Sequence, residues 1–361
     1  LPALKYTAIL NRLIPDDSMR ACLQWLRASF QATGCEGSSH SYSPLFGWAR
    51  AYPETTGYLI ETLLKASRLP GEGDLAEYAI GALNWLCTVQ LPNGAFTALT
   101  AEHRVPSVFN TAQVLFGFAF VLSSEDVGTA DDRDRWALAG SRALDWLSGQ
   151  LDEPVGWGSG AYVSGYDPTY YTRALWGMLC MDEVLYGGSP LRGRVEQALE
   201  RYARRFRPNG ALDGWGFWPN KPAHTHTIAY ALEGFWHTAR MLNRADIAFR
   251  AETTLRRLLR QRAADGRTAG AYDSDWRGVL HYRCVTGNVQ LSLLAAQMAG
   301  AGDAAQWSAA AVSLFSEVAN AQSFAPCKGM FGGLPGSAPL WGPYLRMRFP
   351  NWAARFYAEA W

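Results

Sequence analysis

The feature that most constrains this chain is an internal period of about sixty residues. Five segments share a polar cluster, a Thr and an apolar helical run, and they start at Thr56, Thr111, Thr172, Thr227 and Thr286. A sixth starts at Asn351, so by subtraction the starts lie 55, 61, 55, 59 and 65 residues apart. A second series runs out of phase with the first. Helical stretches end near Gln31, Gln90, Gln150, Arg207, Gln261 and Gln322, which are 59, 60, 57, 54 and 61 apart. Gly-rich loops with an aromatic follow most of them, as in Gln90-Leu-Pro-Asn-Gly-Ala-Phe96. Each period is long enough for two helices and two loops.

The two helices of a period differ in kind. Glu196 to Arg205 carries Arg and Glu along one face, as an outer helix does. The runs after the repeated Thr residues are apolar nearly all round and belong in an interior. Six such pairs predict an all-α chain, an (α/α)6 toroid of six helix hairpins. An open solenoid needs polar caps at its ends. The final run, Phe356-Tyr-Ala-Glu-Ala-Trp361, is apolar to its last residue, so it calls for the first repeat as its neighbour and the ring should close. The expected organisation is a short N-terminal extension, 1–16, and one toroid domain, 17–361.

Composition narrows the function classes. Charged residues make up 18% and aromatics 13%, which fits a large buried fraction and excludes a disordered chain. A formal charge of +1 argues against nucleic acid as a partner. No apolar run has the length of a membrane span. The six cysteines are scattered, no CxxC pair occurs, and no charged-then-apolar leader is seen. A cytoplasmic location is therefore expected over a periplasmic one.

The Gln, Gly and aromatic of each loop resemble the repeat of the prenyltransferase and squalene-cyclase toroids, over about 17–361. A closer resemblance is to bacterial proteins encoded with exopolysaccharide genes. It is carried by Pro53-Glu-Thr-Thr-Gly-Tyr58, Phe109-Asn-Thr-Ala-Gln113, His226-Thr-Ile-Ala-Tyr230, Thr286-Gly-Asn288 and Pro350-Asn-Trp-Ala353. This resemblance implies the toroid fold. Such toroids also carry glycoside hydrolases, polysaccharide lyases and uronyl epimerases, so the fold leaves the reaction open.

In a toroid, the first turns of the inner helices meet at one end and line the mouth of a central cavity. Read in order, these turns offer Glu54, Asn110, Tyr171, Arg173, His224, His226, Asn288 and Asn351. Free first-turn N–H groups there would favour an anionic ligand. The repeated Thr residues themselves read best as capping or packing residues. Further acids lie in turns, among them Asp213 in Leu-Asp-Gly-Trp and Asp275 in Tyr-Asp-Ser-Asp-Trp. Trp157, Trp215, Phe217, Trp218, Trp276 and Trp341 stand in Gly-rich segments near these acids, where a flat face can stack on a sugar ring or fill a seam between hairpins.

The favoured reading is a carbohydrate-active enzyme, a glycoside hydrolase with Glu54 and Asp213 or Asp275 as its carboxyl pair. The catalytic candidates are Glu54, Tyr171, His226, Asp213 and Asp275. Asn110, Arg173, His224, Asn288, Trp157, Trp215, Trp276 and Trp341 are the candidates for binding a glycan. A lyase or uronyl C5-epimerase is the alternative, with Tyr171 and His226 exchanging protons while Asn110 and Arg173 hold a carboxylate. An isoprenoid cyclase is a weaker one, since Asp273-Ser-Asp275-Trp lacks the last acid of an Asp-x-Asp-Asp motif. A non-catalytic glycan-binding protein would use the same aromatics without paired acids. No metal or other cofactor is expected, and the zinc question is confined to His281, Cys284 and Cys327.

Overall fold

The computed structural model describes residues 16–361 except 125, 152–155, 158, 159, 189, 190, 264 and 302. Of the expected extension, residues 1–15 lie outside the described residues, and the first described helix begins at Asp16.

Twelve α-helices alternate between an outer and an inner ring among the described residues. The outer ring is α1 (Asp16–Gln31), α3 (Leu75–Val89), α5 (Ala130–Leu151), α7 (Leu191–Ala203), α9 (Ala245–Arg260) and α11 (Ala304–Ala319). The inner ring is α2 (Pro53–Ala66), α4 (Val108–Leu122), α6 (Thr172–Tyr186), α8 (Thr225–Met241), α10 (Val285–Ala299) and α12 (Asn351–Ala360). Each inner helix packs on the next, and α12 packs on both α1 and α2, so the ring closes. The chain is an (α/α)6 toroid. The apolar C-terminal run finds the neighbour that its sequence calls for. No helix is long and apolar enough to cross a membrane among the described residues.

Helix chemistry follows position. Outer α9 keeps Ile247, Ala251, Leu255 and Leu258 on a buried stripe and its arginines outside. Inner α4 buries nearly every side chain from Val108 to Val121. Glycines set how closely the inner helices approach. A Cβ on Gly177 of α6 would press on the Ala112 carbonyl of α4, and one on Gly287 of α10 would collide with the α8 backbone at Thr225 and His226.

The repeated Thr residues do not cap their helices. Two of their hydroxyls tie the preceding loop to the inner ring instead. Thr56 Oγ1 accepts the Ser38 N–H at 3.0 Å, and Thr111 Oγ1 accepts the Phe96 N–H at 2.8 Å. Thr227 Oγ1 donates to the His224 carbonyl at 3.0 Å. Ser107, one residue before α4, is a true cap, because its Oγ accepts the Asn110 N–H at 3.2 Å.

Short antiparallel strands join the loops at the mouth. β1 (Ser41–Ser43) pairs with β2 (Gly47–Trp48) and with β7 (Phe349–Pro350), so the first loop is stitched to the last. β3 (Ala223–His224) pairs with β4 (Ala271–Tyr272), and β5 (Arg283–Cys284) with β6 (Ser337–Ala338). These bridges fix long loops over the N-terminal ends of the inner helices. A rigid scaffold carrying its loops at one end is a common way to build a site.

Candidate functional site

A cavity of about 490 Å³ opens at this end, a size that suits a small ligand. Its wall is largely aromatic. Phe109 comes from α4, Tyr230 from α8 and Trp352 from α12, while the loops add Tyr162, Tyr170, Phe217, Trp218 and Tyr344. The polar groups that interrupt this wall are Glu54, His40, His226 and the tyrosine hydroxyls. The sequence places Glu54 here because Pro53 starts α2, which puts residue 54 in the first turn at the mouth.

Glu54 is buried and faces no cation directly. The Tyr52 hydroxyl donates to its Oε2 at 2.6 Å. The Tyr162 hydroxyl stands 3.4 Å from the same oxygen and gives its short bond to Asn110 Oδ1. Asn110 in turn donates to the Thr97 carbonyl at 2.7 Å and lies 3.4 Å from the Tyr52 hydroxyl. Loss of solvent pushes the Glu54 carboxyl up to about 7, although the two phenols and the more distant Arg173 pull the other way. At neutral pH this carboxyl is poised between its acid and base forms, the condition for general acid–base work.

His226 enters from the first turn of α8. Its Nδ1 donates to Gln290 Oε1 at 2.6 Å, which leaves Nε2 as an acceptor. Burial lowers its pKa to about 3, so the ring is neutral at physiological pH. The ring centroid lies 4.3 Å from that of Tyr230 and 5.2 Å from that of Tyr344. His40, from the first loop, is likewise held down to about 4 by burial and by Arg348. It packs 4.8 Å from Trp352 and 5.0 Å from Tyr52, centroid to centroid.

The structure brings together only part of the set read from the sequence. Glu54 and His226 line the cavity, and Asn110 supports it through Tyr52 and Tyr162. His224 stands behind Tyr344, with Nδ1 2.6 Å from the Tyr282 hydroxyl. Tyr171 is fully buried and accepts the Tyr162 N–H at 3.2 Å through its hydroxyl. Arg173 lies inside the ring, where it forms a short ion pair with Glu233 and a 2.7 Å bond to Gln113. Its long side chain carries it away from the mouth that its first-turn position suggested. Asn288 donates to Glu317 at 2.7 Å, toward the outer ring.

Asp213 and Asp275 stand apart from the cavity. Both are more than half exposed, and both pair with Arg207, at 3.7 Å and 3.5 Å. Their turns fold back on the end of α7 and do not point into the mouth. Trp157, Trp215 and Trp276 are buried in seams: Trp157 Nε1 donates to the Tyr202 hydroxyl at 2.7 Å, and Trp215 meets Trp276 edge-on at 5.3 Å. Trp341 is exposed on a loop and does not line the cavity. Among the described residues, no three His, Cys, Asp or Glu side chains gather closely enough to hold a metal ion. Of the zinc candidates, Cys284 is buried at the start of α10, while Cys327 sits 3.4 Å from the Tyr42 hydroxyl and His281 is exposed.

His40, Tyr52, Tyr162 and Tyr344 are cavity residues that sequence reasoning missed. Tyr52 alone carried a signal, since it precedes Pro53 at the start of an inner helix. His40 and Tyr344 ride on irregular loops beside the strand bridges, and Tyr162 on a loop held by its own N–H to the Tyr171 hydroxyl and by the Gly160 carbonyl, which accepts the Val108 N–H.

No protein-family model matches the chain, and no curated protein matches it in sequence. Solved structures do. An unsaturated glucuronyl hydrolase specific for heparin matches with a TM-score of 0.71 at 14% identity, over 95% of each chain. An unsaturated glucuronyl hydrolase from Bacillus sp. GL1 matches with a TM-score of 0.69 at 14% identity, over 95% of this chain and 94% of that one. A sugar epimerase from a ruminal bacterium gives 0.70 at 10% identity, over 94% and 97%. The fold is shared from end to end.

Proposed function

We propose that this protein is a carbohydrate-active enzyme, a glycoside hydrolase that admits the end of an oligosaccharide or bacterial exopolysaccharide into the aromatic cavity. The observation that carries the reading is Glu54. It is a single buried carboxyl, held near neutrality on the wall of a cavity whose aromatic faces suit the apolar faces of sugar rings. The glucuronyl hydrolases and the sugar epimerase of the same fold support a carbohydrate substrate.

In this reading protonated Glu54 donates to the glycosidic oxygen as the bond to the anomeric carbon breaks. Water adds to that carbon, and its proton passes to a neighbouring acceptor, for which His226 Nε2 is the available neutral base. Tyr52 holds the Glu54 carboxylate left behind and keeps it oriented. The floor below is closed by Arg173, Glu233 and the rings of Tyr58, Tyr230 and Phe356, all buried. A closed floor favours attack at a chain end over attack within a chain.

One observation favours a second reading. Glycosidases ordinarily set two carboxyls across the bond. Among the described lining residues, Glu54 is the lone carboxyl, and apart from the tyrosines the other titratable side chains are the imidazoles of His40 and His226. A carboxyl and an imidazole can also move protons on and off carbon, as an epimerase or a lyase requires.

Incubation with oligosaccharides in heavy water, followed by mass spectrometry, separates these readings. Products that gain one water per bond cut are the expected result. Deuterium on carbon at otherwise unchanged mass marks epimerisation, and an unsaturated end marks elimination. If no glycan changes and a polyprenyl diphosphate turns over, the carbohydrate reading is wrong.

A further inference from the structure

Resting on that reading, we infer that the sugar ring entering the cavity is an uncharged one, and that the site selects against a uronate.

Among the described residues no Lys or Arg lines the cavity. Three arginines lie nearby and none lines the cavity: Arg355, 5% exposed, pairs with Glu359 under the rings of Tyr58 and Phe356. Arg173 is 2% exposed and is sealed under the floor by Glu233 and Gln113, with the ring of Tyr230 at 4.9 Å and that of Phe116 at 5.0 Å. Arg348 reaches Ser41 Oγ at 3.3 Å, behind His40. The two histidines of the wall add no positive charge, since both stay neutral at physiological pH.

The charge the cavity does carry is negative. Glu54 sits in the first turn of α2, so the chain's own carboxyl already occupies the helix end that would otherwise attract an anion. A uronate at this place would lose its water, gain only phenol hydroxyls as donors, and face a second carboxyl. Burying an anion on those terms is strongly unfavourable. A hexose carries a hydroxymethyl group in the same position. Its hydroxyl asks only for an ordinary hydrogen bond, which it can donate to His226 Nε2 or to the phenol oxygen of Tyr52 or Tyr162, while the ring stacks on the aromatic wall.

The test is isothermal titration calorimetry at pH 8 with matched trisaccharides. One set ends in glucose or galactose, and the other ends in glucuronate or galacturonate and is otherwise identical. The expected result is that a neutral end binds at least about tenfold more tightly than its uronate counterpart. A uronate that binds as well or better overturns the inference and leaves the carbohydrate reading standing. Binding by neither set, with no turnover of either, overturns the reading and the inference with it. The variant Leu99→Arg supplies a control, because Leu99 is half exposed at the lip of the cavity and the substitution leaves the core untouched. It should shrink the neutral preference about tenfold. An unchanged preference would show that charge does not set the choice, which also overturns the inference.

Discussion

Two buried glutamates on inner helices, Glu54 of α2 and Glu233 of α8, have different surroundings. Glu233 lies inside the ring and meets the Arg173 guanidinium in a close ion pair, with both side chains 3% exposed. Glu54 lies at the mouth, accepts hydrogen bonds from phenols and opens on the cavity. Burial pushes both carboxyls up to about 7, so neither burial nor a raised pKa by itself marks a reagent. A carboxyl that is paired with a cation and shut away from ligand holds the fold. One that has no direct cation and borders a cavity is free to exchange its proton.

The comparison breaks first at Arg173. Removing one partner of a buried pair typically costs about 3–5 kcal/mol. Arg173→Met should therefore unfold at a much lower denaturant concentration than wild type, and the double variant Arg173→Met/Glu233→Gln should recover part of that loss. If Arg173→Met is as stable as wild type but loses affinity for glycan, Arg173 belongs to the binding site after all.

A smaller effect comes from the proton on Glu54. Its folded pKa of about 7 lies above the ordinary carboxyl value of 4.5. The unfolded chain therefore releases this proton first, and the group's contribution to stability falls as pH rises from 4.5 to about 7. Glu54→Gln removes that slope. Thermal melts at pH 8 should find the variant more stable, by of order 1–3 kcal/mol. Over the same range the donor form is lost, so wild-type kcat/KM should decline above pH 7. His40 and His226 titrate at about 4 and 3 and contribute nothing to that limb. A rate that keeps rising to pH 9 would assign Glu54 the role of base.

Asp213 and Asp275 should show the smallest effects. Exposed ion pairs contribute about 0–1 kcal/mol. Asp213→Asn and Asp275→Asn should each keep turnover within about twofold of wild type, because neither borders the cavity. A hundredfold loss in either variant would mean that a loop closes over the mouth when glycan binds.

The period and the two helix types made the toroid legible, because they follow from which faces must be buried. The apolar last helix made the closure legible. Glu54 and His226 were legible for a related reason: a first-turn residue of an inner helix stands at the mouth. Arg173 occupies the corresponding place in sequence, but a 3-10 turn, Thr169–Tyr171, precedes α6 and the long side chain runs inward to a partner on the next helix. Nothing local to Arg173 announces that partner. Asp213 and Asp275 misled because a Gly-rich turn shows that the chain bends and does not show which way. Their direction is set by Arg207 and the end of α7. His40 and Tyr344 were invisible for the same reason, since bridges between distant loops place them, and Tyr162 because side chains of the inner ring, Tyr171 and Asn110, hold it.

The most direct test of the central claim is turnover by Glu54→Gln beside Glu233→Gln, on the same oligosaccharide, with melting temperatures measured for both. The account predicts that Glu54→Gln loses about 10³-fold in kcat while remaining at least as stable as wild type. It predicts that Glu233→Gln loses stability and keeps most of its rate per folded molecule. Wild-type turnover by a well-folded Glu54→Gln would contradict it.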